Sequence, residues 1–218
     1  MESAITILTW IFIGIVVIGV PIILIRIWMN SLRMQKRAAW LADQTWQLLS
    51  IQVPKENEKS PLAAEQMFAA LHCILRSDPV VQEYLSFEIV AHKESIHFYI
   101  FVPMHFRDFL EGQIYAQYPE VVMKEVTDYT VEADRLNMPI ASVELGITKE
   151  DFFPIKTFTD FEVDPMAGIT SVLTKLEEKE QIWFQMCVKP VPDSWQQRGL
   201  DYVKRTREGK TGTGLTHI

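Results

Sequence analysis

Residues 5–25 carry no charge at all, and beyond them the pattern breaks into shorter segments of alternating or helical apolar spacing. As a helix rising ~1.5 Å per residue, the uncharged run would span roughly 31 Å, the thickness of a bilayer's hydrocarbon core. Thr6 and Thr9 are its only polar side chains, so it has no polar face to turn toward water in a soluble core. A cleaved leader fits poorly. Glu2 and no basic residue precede the run, its length exceeds the ~7–15 residues of a leader's apolar region, and no A-x-A site follows. The pattern predicts a transmembrane anchor over residues 1–29, with lipid contacts between Ile5 and Ile25. Pro21 inside it is tolerated in lipid-embedded helices.

A second helix is expected over 30–47, standing on the membrane and carrying Leu32, Trp40, Leu41 and Trp46 among charges. Residues 48–53 then read as a strand closed by Pro54. Ser60 followed by Pro61 signals a helix start, and Ala64, Met67, Phe68, Leu71, Ile74 and Leu75 recur at helical spacing. Leu85, Phe87, Ile89 and Ala91 alternate with Ser86, Glu88, Val90 and His92. After the Lys93-Glu94-Ser95 turn, Ile96, Phe98, Ile100 and Val102 alternate again, giving a hairpin. Pro103 opens a helix with Phe106, Leu110 and Ile114 on one face, and 120–126 forms a further strand. The order β-α-β-β-α-β over residues 48–130 is the ferredoxin-like split βαβ plan, with Leu71, Phe87, Phe98, Ile100 and Leu110 expected in one core.

Residues 131–192 read as a partial second β-α-β unit. It comprises a strand at 140–147, a connection holding Phe152, Phe153, Phe158 and Phe161, a helix capped by Asp164-Pro165, and a strand at 182–188. Residues 193–218 give a basic amphipathic helix to Arg207 and a Gly/Thr tail expected to be disordered. The predicted class is α+β on an N-terminal membrane helix.

Charge adds orientation and excludes one partner class. Arg26, Arg33, Lys36 and Arg37 follow the apolar run and only Glu2 precedes it, so the positive-inside rule puts the N-terminus outside and the body in the cytoplasm. The net charge of −7 argues against nucleic-acid binding driven by phosphate neutralisation. Cys73 and Cys187 lie in apolar segments and are expected to be buried, reduced thiols.

Motifs for catalysis are weak. Gly209-Lys210-Thr211 resembles the end of a phosphate-binding loop, but Lys204 stands where that motif needs glycine, and a polar helix precedes it. His72, His92, His97, His105 and His217 fall into no metal-ligand spacing. His92 and His97 are placed to meet across the hairpin, and His72 on a packed helix is expected to be buried. Asp160, Glu162 and Asp164 would project to one side of an extended chain, as a cation site or as a solvated edge with an N-cap at Asp164. No catalytic residue, cofactor or metal is assigned. The strongest interaction candidates are Trp195, Arg198, Lys204, Arg205 and Arg207 on the terminal helix.

Four segments carry a resemblance: 53–66 (VPKENEKSPLAAEQ), 114–119 (IYAQYP), 151–165 (DFFPIKTFTDFEVDP) and 188–195 (VKPVPDSW). Together they resemble an uncharacterised membrane-anchored domain of candidate-phyla bacteria. In longer members that domain precedes an ATPase of the type IV secretion and conjugative DNA-transfer class. The resemblance covers nearly the whole chain after residue 45 and implies a non-enzymatic scaffold or docking domain whose partner is a secretion or translocation ATPase or its membrane complex. No ATPase residue can be carried over, because no position here matches one. The chain is then expected to be either a stand-alone accessory subunit or a fragment of a larger reading frame. The alternative from another class is a membrane-localised enzyme with a polar site around His92, His97 and the strip from Asp160 to Asp164.

Overall fold

The computed structural model describes residues 2–54, 59–92, 95–131, 139–164, 166–178 and 180–209. It divides into two compact units, residues 1–45 with 76–82, and residues 46–75 with 83–218. The first is built on α1 (Glu2–Asp43), a single helix that contains Pro21. The expected anchor and the expected juxtamembrane helix are thus one element. It stops at Asp43, and Trp46 and Gln47 belong to the following strand instead. Side chains such as Ile15, Val17, Ile18, Ile23 and Ile27 are more than half exposed, which is compatible with contact to lipid. Against the C-terminal part of α1 lies the 3-10 turn Pro79–Val81, capped by Asp78, whose carboxylate accepts from Val80 N at 2.9 Å and meets Lys36 Nζ at 3.1 Å. The Arg76 guanidinium sits 5.7 Å from the Trp40 ring centroid.

The second unit is a five-stranded sheet with every described pairing antiparallel. Its strands are β1 (Trp46–Gln52), β2 (Leu85–His92), β3 (Ser95–Pro103), β4 (Val122–Val126) and β5 (Gln181–Val188), ordered β4-β1-β3-β2-β5. The first four reproduce the split βαβ arrangement expected from the sequence. Helices α2 (Pro61–Leu71) and α3 (Arg107–Gln117) supply the crossovers. Ser60 caps α2 by accepting from Leu62 N at 3.2 Å, as the Ser-Pro signal predicts.

Period-2 alternation sorts the sheet's residues. Leu49, Leu85, Ile100 and Val102 point to the helix side and pack with Met67, Leu71, Leu110 and Ile114. Four of the five expected core residues belong there, with Phe87 partly buried. Phe98 does not join them. It shares the strand face of Ile100 but lies toward the hairpin end and is 43% exposed.

The expected second unit is corrected in its first strand. Residues 140–147 form no strand, and Ile140, Val143, Leu145 and Ile147 are exposed. The final strand pairs with β2, Leu85 opposite Val188 through His92 opposite Gln181, and so extends the first sheet. Its partner is a hairpin strand almost a hundred residues upstream, a pairing that local periodicity does not encode. Between them lies α4 (Met166–Leu173), with Leu173 buried. The helix α5 (Ser194–Arg207) begins and ends where the sequence places it. The tail from Lys210 onward, His217, Pro165 and the Lys93-Glu94 turn lie outside the described residues.

Candidate functional site

The sheet face opposite α2 and α3 is where the polar chemistry collects. Register sets its rows: Val126, Leu48, Phe101, Ser86 and Cys187 across all five strands, then Lys124, Ser50, Tyr99, Glu88 and Gln185 beside them. Over these rows folds the 3-10 turn Tyr129–Val131, started by Asp128, whose Oδ1 accepts from Thr130 N and Oγ1. Tyr129 lands against Leu48 and Val90, half-enclosed by Tyr99, Phe101 and Trp183. Its ring stacks on Tyr99 at 5.6 Å and meets Trp183 edge-on at 5.0 Å.

The Tyr129 hydroxyl donates to Glu88 Oε2 at 2.7 Å and accepts from Gln185 Nε2 at 2.8 Å. Glu88 is only 7% exposed, so its carboxylate is held mainly by this short, charge-assisted bond. Burial, and then the Glu88 carboxylate, push the Tyr129 phenol well above its ordinary range and fix it as a neutral donor. Beside the network opens a cleft of about 210 Å³ lined in part by Tyr84, Ser86, Glu88, Phe101, Asp128 and Gln185. Two carboxylates and two aromatic faces make it suited to hydrogen-bond donors and cations. Sequence alternation marks Glu88 as an outward, solvated position. The turn that covers it comes from forty residues downstream and carries no local signal of that role.

The histidines divide. His92 and His97 do stack across the hairpin, centroids 4.9 Å apart, and Ser95 Oγ lies 2.9 Å from His92 Nδ1. Burial, with the nearby His92 second, depresses the His97 pKa, and so favours the neutral ring. His72 is exposed rather than buried, with Nε2 3.1 Å from Val191 O, because it leaves α2 on the outer side of a 3-10 turn. His105 Nε2 reaches 3.3 Å from Glu83 Oε1, a fully buried carboxylate that the sequence reading missed. Both cysteines are free but exposed, Cys73 on that same turn and Cys187 on the outermost strand.

Asp160 and Asp164 are local caps. Thr157 N donates to Asp160 Oδ2 at 2.9 Å within a capping box, and Met166 N donates to Asp164 Oδ1 at 2.9 Å. Bends at Glu162 and Val163 break the extended geometry that would align the strip. Among the described residues no three His, Cys, Asp or Glu side chains are positioned to hold a metal ion.

On α5, Trp195 is partly buried. Arg198 is paired with Asp151, and Phe152 and Phe153 pack on Tyr202 at 5.3 and 5.2 Å, with Phe152 also close against Gly199. Arg198 thus contacts the 151–153 segment while its side chain stays more than half exposed. Lys204, Arg205 and Arg207 are exposed on the last turn, where positive charge also complements the helix dipole. Gly209, with φ +66°, ends the helix in the left-handed conformation. It follows a helix, whereas a phosphate-binding loop follows a strand; Lys210 and Thr211 lie outside the described residues.

These features define an α+β protein with a ferredoxin-like sheet, widened by a fifth strand, behind an N-terminal helix long and apolar enough to cross a membrane. The chain belongs to the family described as Domain of unknown function (DUF8128), whose model matches residues 31–212. No curated protein and no solved structure matches it.

Proposed function

We propose that this chain is a non-enzymatic, membrane-tethered docking module. The observation that carries the reading is α1, whose uncharged stretch continues without a break into a segment bearing Arg26, Arg33, Lys36 and Arg37. In a bilayer this sequence orients itself with the N-terminus outside and the folded body on the cytoplasmic face. The body then serves as a scaffold for a protein partner. By the sequence resemblance, that partner is a motor or membrane complex of a type IV secretion-like or DNA-translocation assembly. The exposed cations Lys204, Arg205 and Arg207 supply long-range attraction to an acidic partner surface on an otherwise acidic chain. Thiol labelling tests the topology. With Cys73 and Cys187 replaced by serine, an impermeant maleimide added to intact cells should label a cysteine at Ser3 and miss one at Ser95. Labelling at Ser95 would overturn the orientation.

A further inference from the structure

We infer that residues 140–147 are a β-strand donor that pairs with the outer edge of β5 in a second copy of this chain. Each half of this pairing is present and unfilled among the described residues of the single molecule. The acceptor is β5, eight residues long (Gln181–Val188), which hydrogen-bonds β2 on one side and, among the described residues, has no strand neighbour on the other. The two edges of the sheet are not alike. The β4 edge is five residues long and carries Lys124 and Glu125, both exposed, the usual protection against edge-to-edge pairing. The β5 edge, QIWFQMCV, has neither charge nor proline, and Met186 and Cys187 are exposed on it. An edge of that length and composition is a template for another strand.

The donor is equally specific. Residues 140–147, IASVELGI, match β5 in length, and their apolar residues Val143, Leu145 and Ile147 alternate with Ser142, Glu144 and Gly146. Yet Val143 is 84% exposed and Leu145 78% exposed, and no backbone group of 140–147 hydrogen-bonds among the described residues. The faces also agree. Strand side chains alternate sides, so a donor laid along β5 with Val143, Leu145 and Ile147 on one face would continue the Ile182, Phe184 and Met186 face. Ser142, Glu144 and Gly146 would then extend the polar rows that hold Gln185 and Cys187. Reciprocal exchange between two copies fills both edges and closes a two-fold dimer. This pairing needs no anchor, although tethering to one membrane, as proposed above, would raise the copies' effective concentration.

The exposed native Cys187 makes the inference testable in the full chain, purified in detergent micelles. In a Cys73→Ser background, single cysteines are placed at Ser142, Glu144, Gly146, Val143 and Leu145, and gently oxidised. Pairing predicts a disulfide-linked dimer from at least one of the even-numbered positions, lost with Cys187→Ala, and little from Val143→Cys or Leu145→Cys. A Gln185→Cys, Cys187→Ala pair of changes moves the acceptor one face-repeat along the edge and should shift the reactive donor position by two. Leu145→Lys, on the exposed donor, should convert the detergent-corrected mass from dimer to monomer without loss of the folded spectrum. Equal cross-linking at odd and even positions would mean collision or pairing through the anchor. Cross-links only within one chain, or none at any position, would equally overturn the inference. None of these outcomes bears on the topology, which the labelling at Ser3 and Ser95 decides separately.

Discussion

Replacing Tyr129 with phenylalanine removes one oxygen and keeps the ring. That hydroxyl donates to the Glu88 carboxylate at 2.7 Å and accepts from Gln185 at 2.8 Å. A hydrogen bond to a charged group contributes about 1.5–3 kcal/mol, and the neutral one about 0.5–1.5 kcal/mol. Glu88 is 7% exposed, so water reaches it poorly once the donor is gone. The ring stacking on Tyr99 and Trp183 survives in the variant. The expected loss is therefore about 2–4 kcal/mol, dominated by the stranded carboxylate. Urea unfolding of the full chain in micelles, followed by tryptophan fluorescence, measures it, since Trp183 touches the altered ring. In a cycle with Glu88→Gln, the second substitution should cost much less on the Tyr129→Phe background than on the parent, because the charge it removes is the group left unpaired. A loss below half a kilocalorie, with additive effects, would show that the turn Tyr129–Val131 does not close over the sheet in solution.

Three further outcomes follow from other parts of the fold. Leu71→Ala, at a 4% exposed position between α2 and the sheet, should cost ~2–5 kcal/mol in the same unfolding assay, and a cost under half a kilocalorie would misplace the face of α2. The folded-state pKa of His97 lies below its unfolded value of 6.5, so its contribution vanishes above that pH. Stability should fall as pH drops through 6.5 and the unfolded chain takes up the proton, and His97→Phe should flatten that slope. If the proposed docking role holds, reversal of Lys204, Arg205 and Arg207 to Glu should weaken co-purification of membrane-bound protein partners in a salt-dependent way at unchanged stability; parental behaviour at two ionic strengths would reduce α5 to a linker.

The βαββαβ order was legible because each element carries its own period, 2 or 3.6, and its own punctuation, such as Ser60-Pro61. What periodicity cannot supply is the neighbour. The alternation in β5 marks a strand, but nothing in it says that the strand pairs with β2. The same signal at 140–147 marks strand-forming residues that no partner among the described residues completes. The candidate site failed to appear for a related reason. Glu88 alternates with the apolar residues of β2, and it joins Gln185 in a network only when Tyr129 arrives from outside the strands. The pairing of Arg198 with Asp151 went unread because Asp151 lies in a connection without regular structure.

One consequence of α1 concerns distance and phase. Forty-two residues without interruption make a rod roughly 63 Å long at 1.5 Å per residue, about twice what a hydrocarbon core absorbs. On the proposed topology the remainder is a ruler as well as a tether. Lengthening it by one residue would turn the end of the rod at Asp43 by about 100°, whereas seven residues would restore nearly the same heading and lift that end by roughly 10 Å. An insertion series therefore separates two demands that can be made on the end of this helix, the height at which it is met and the direction from which it is approached.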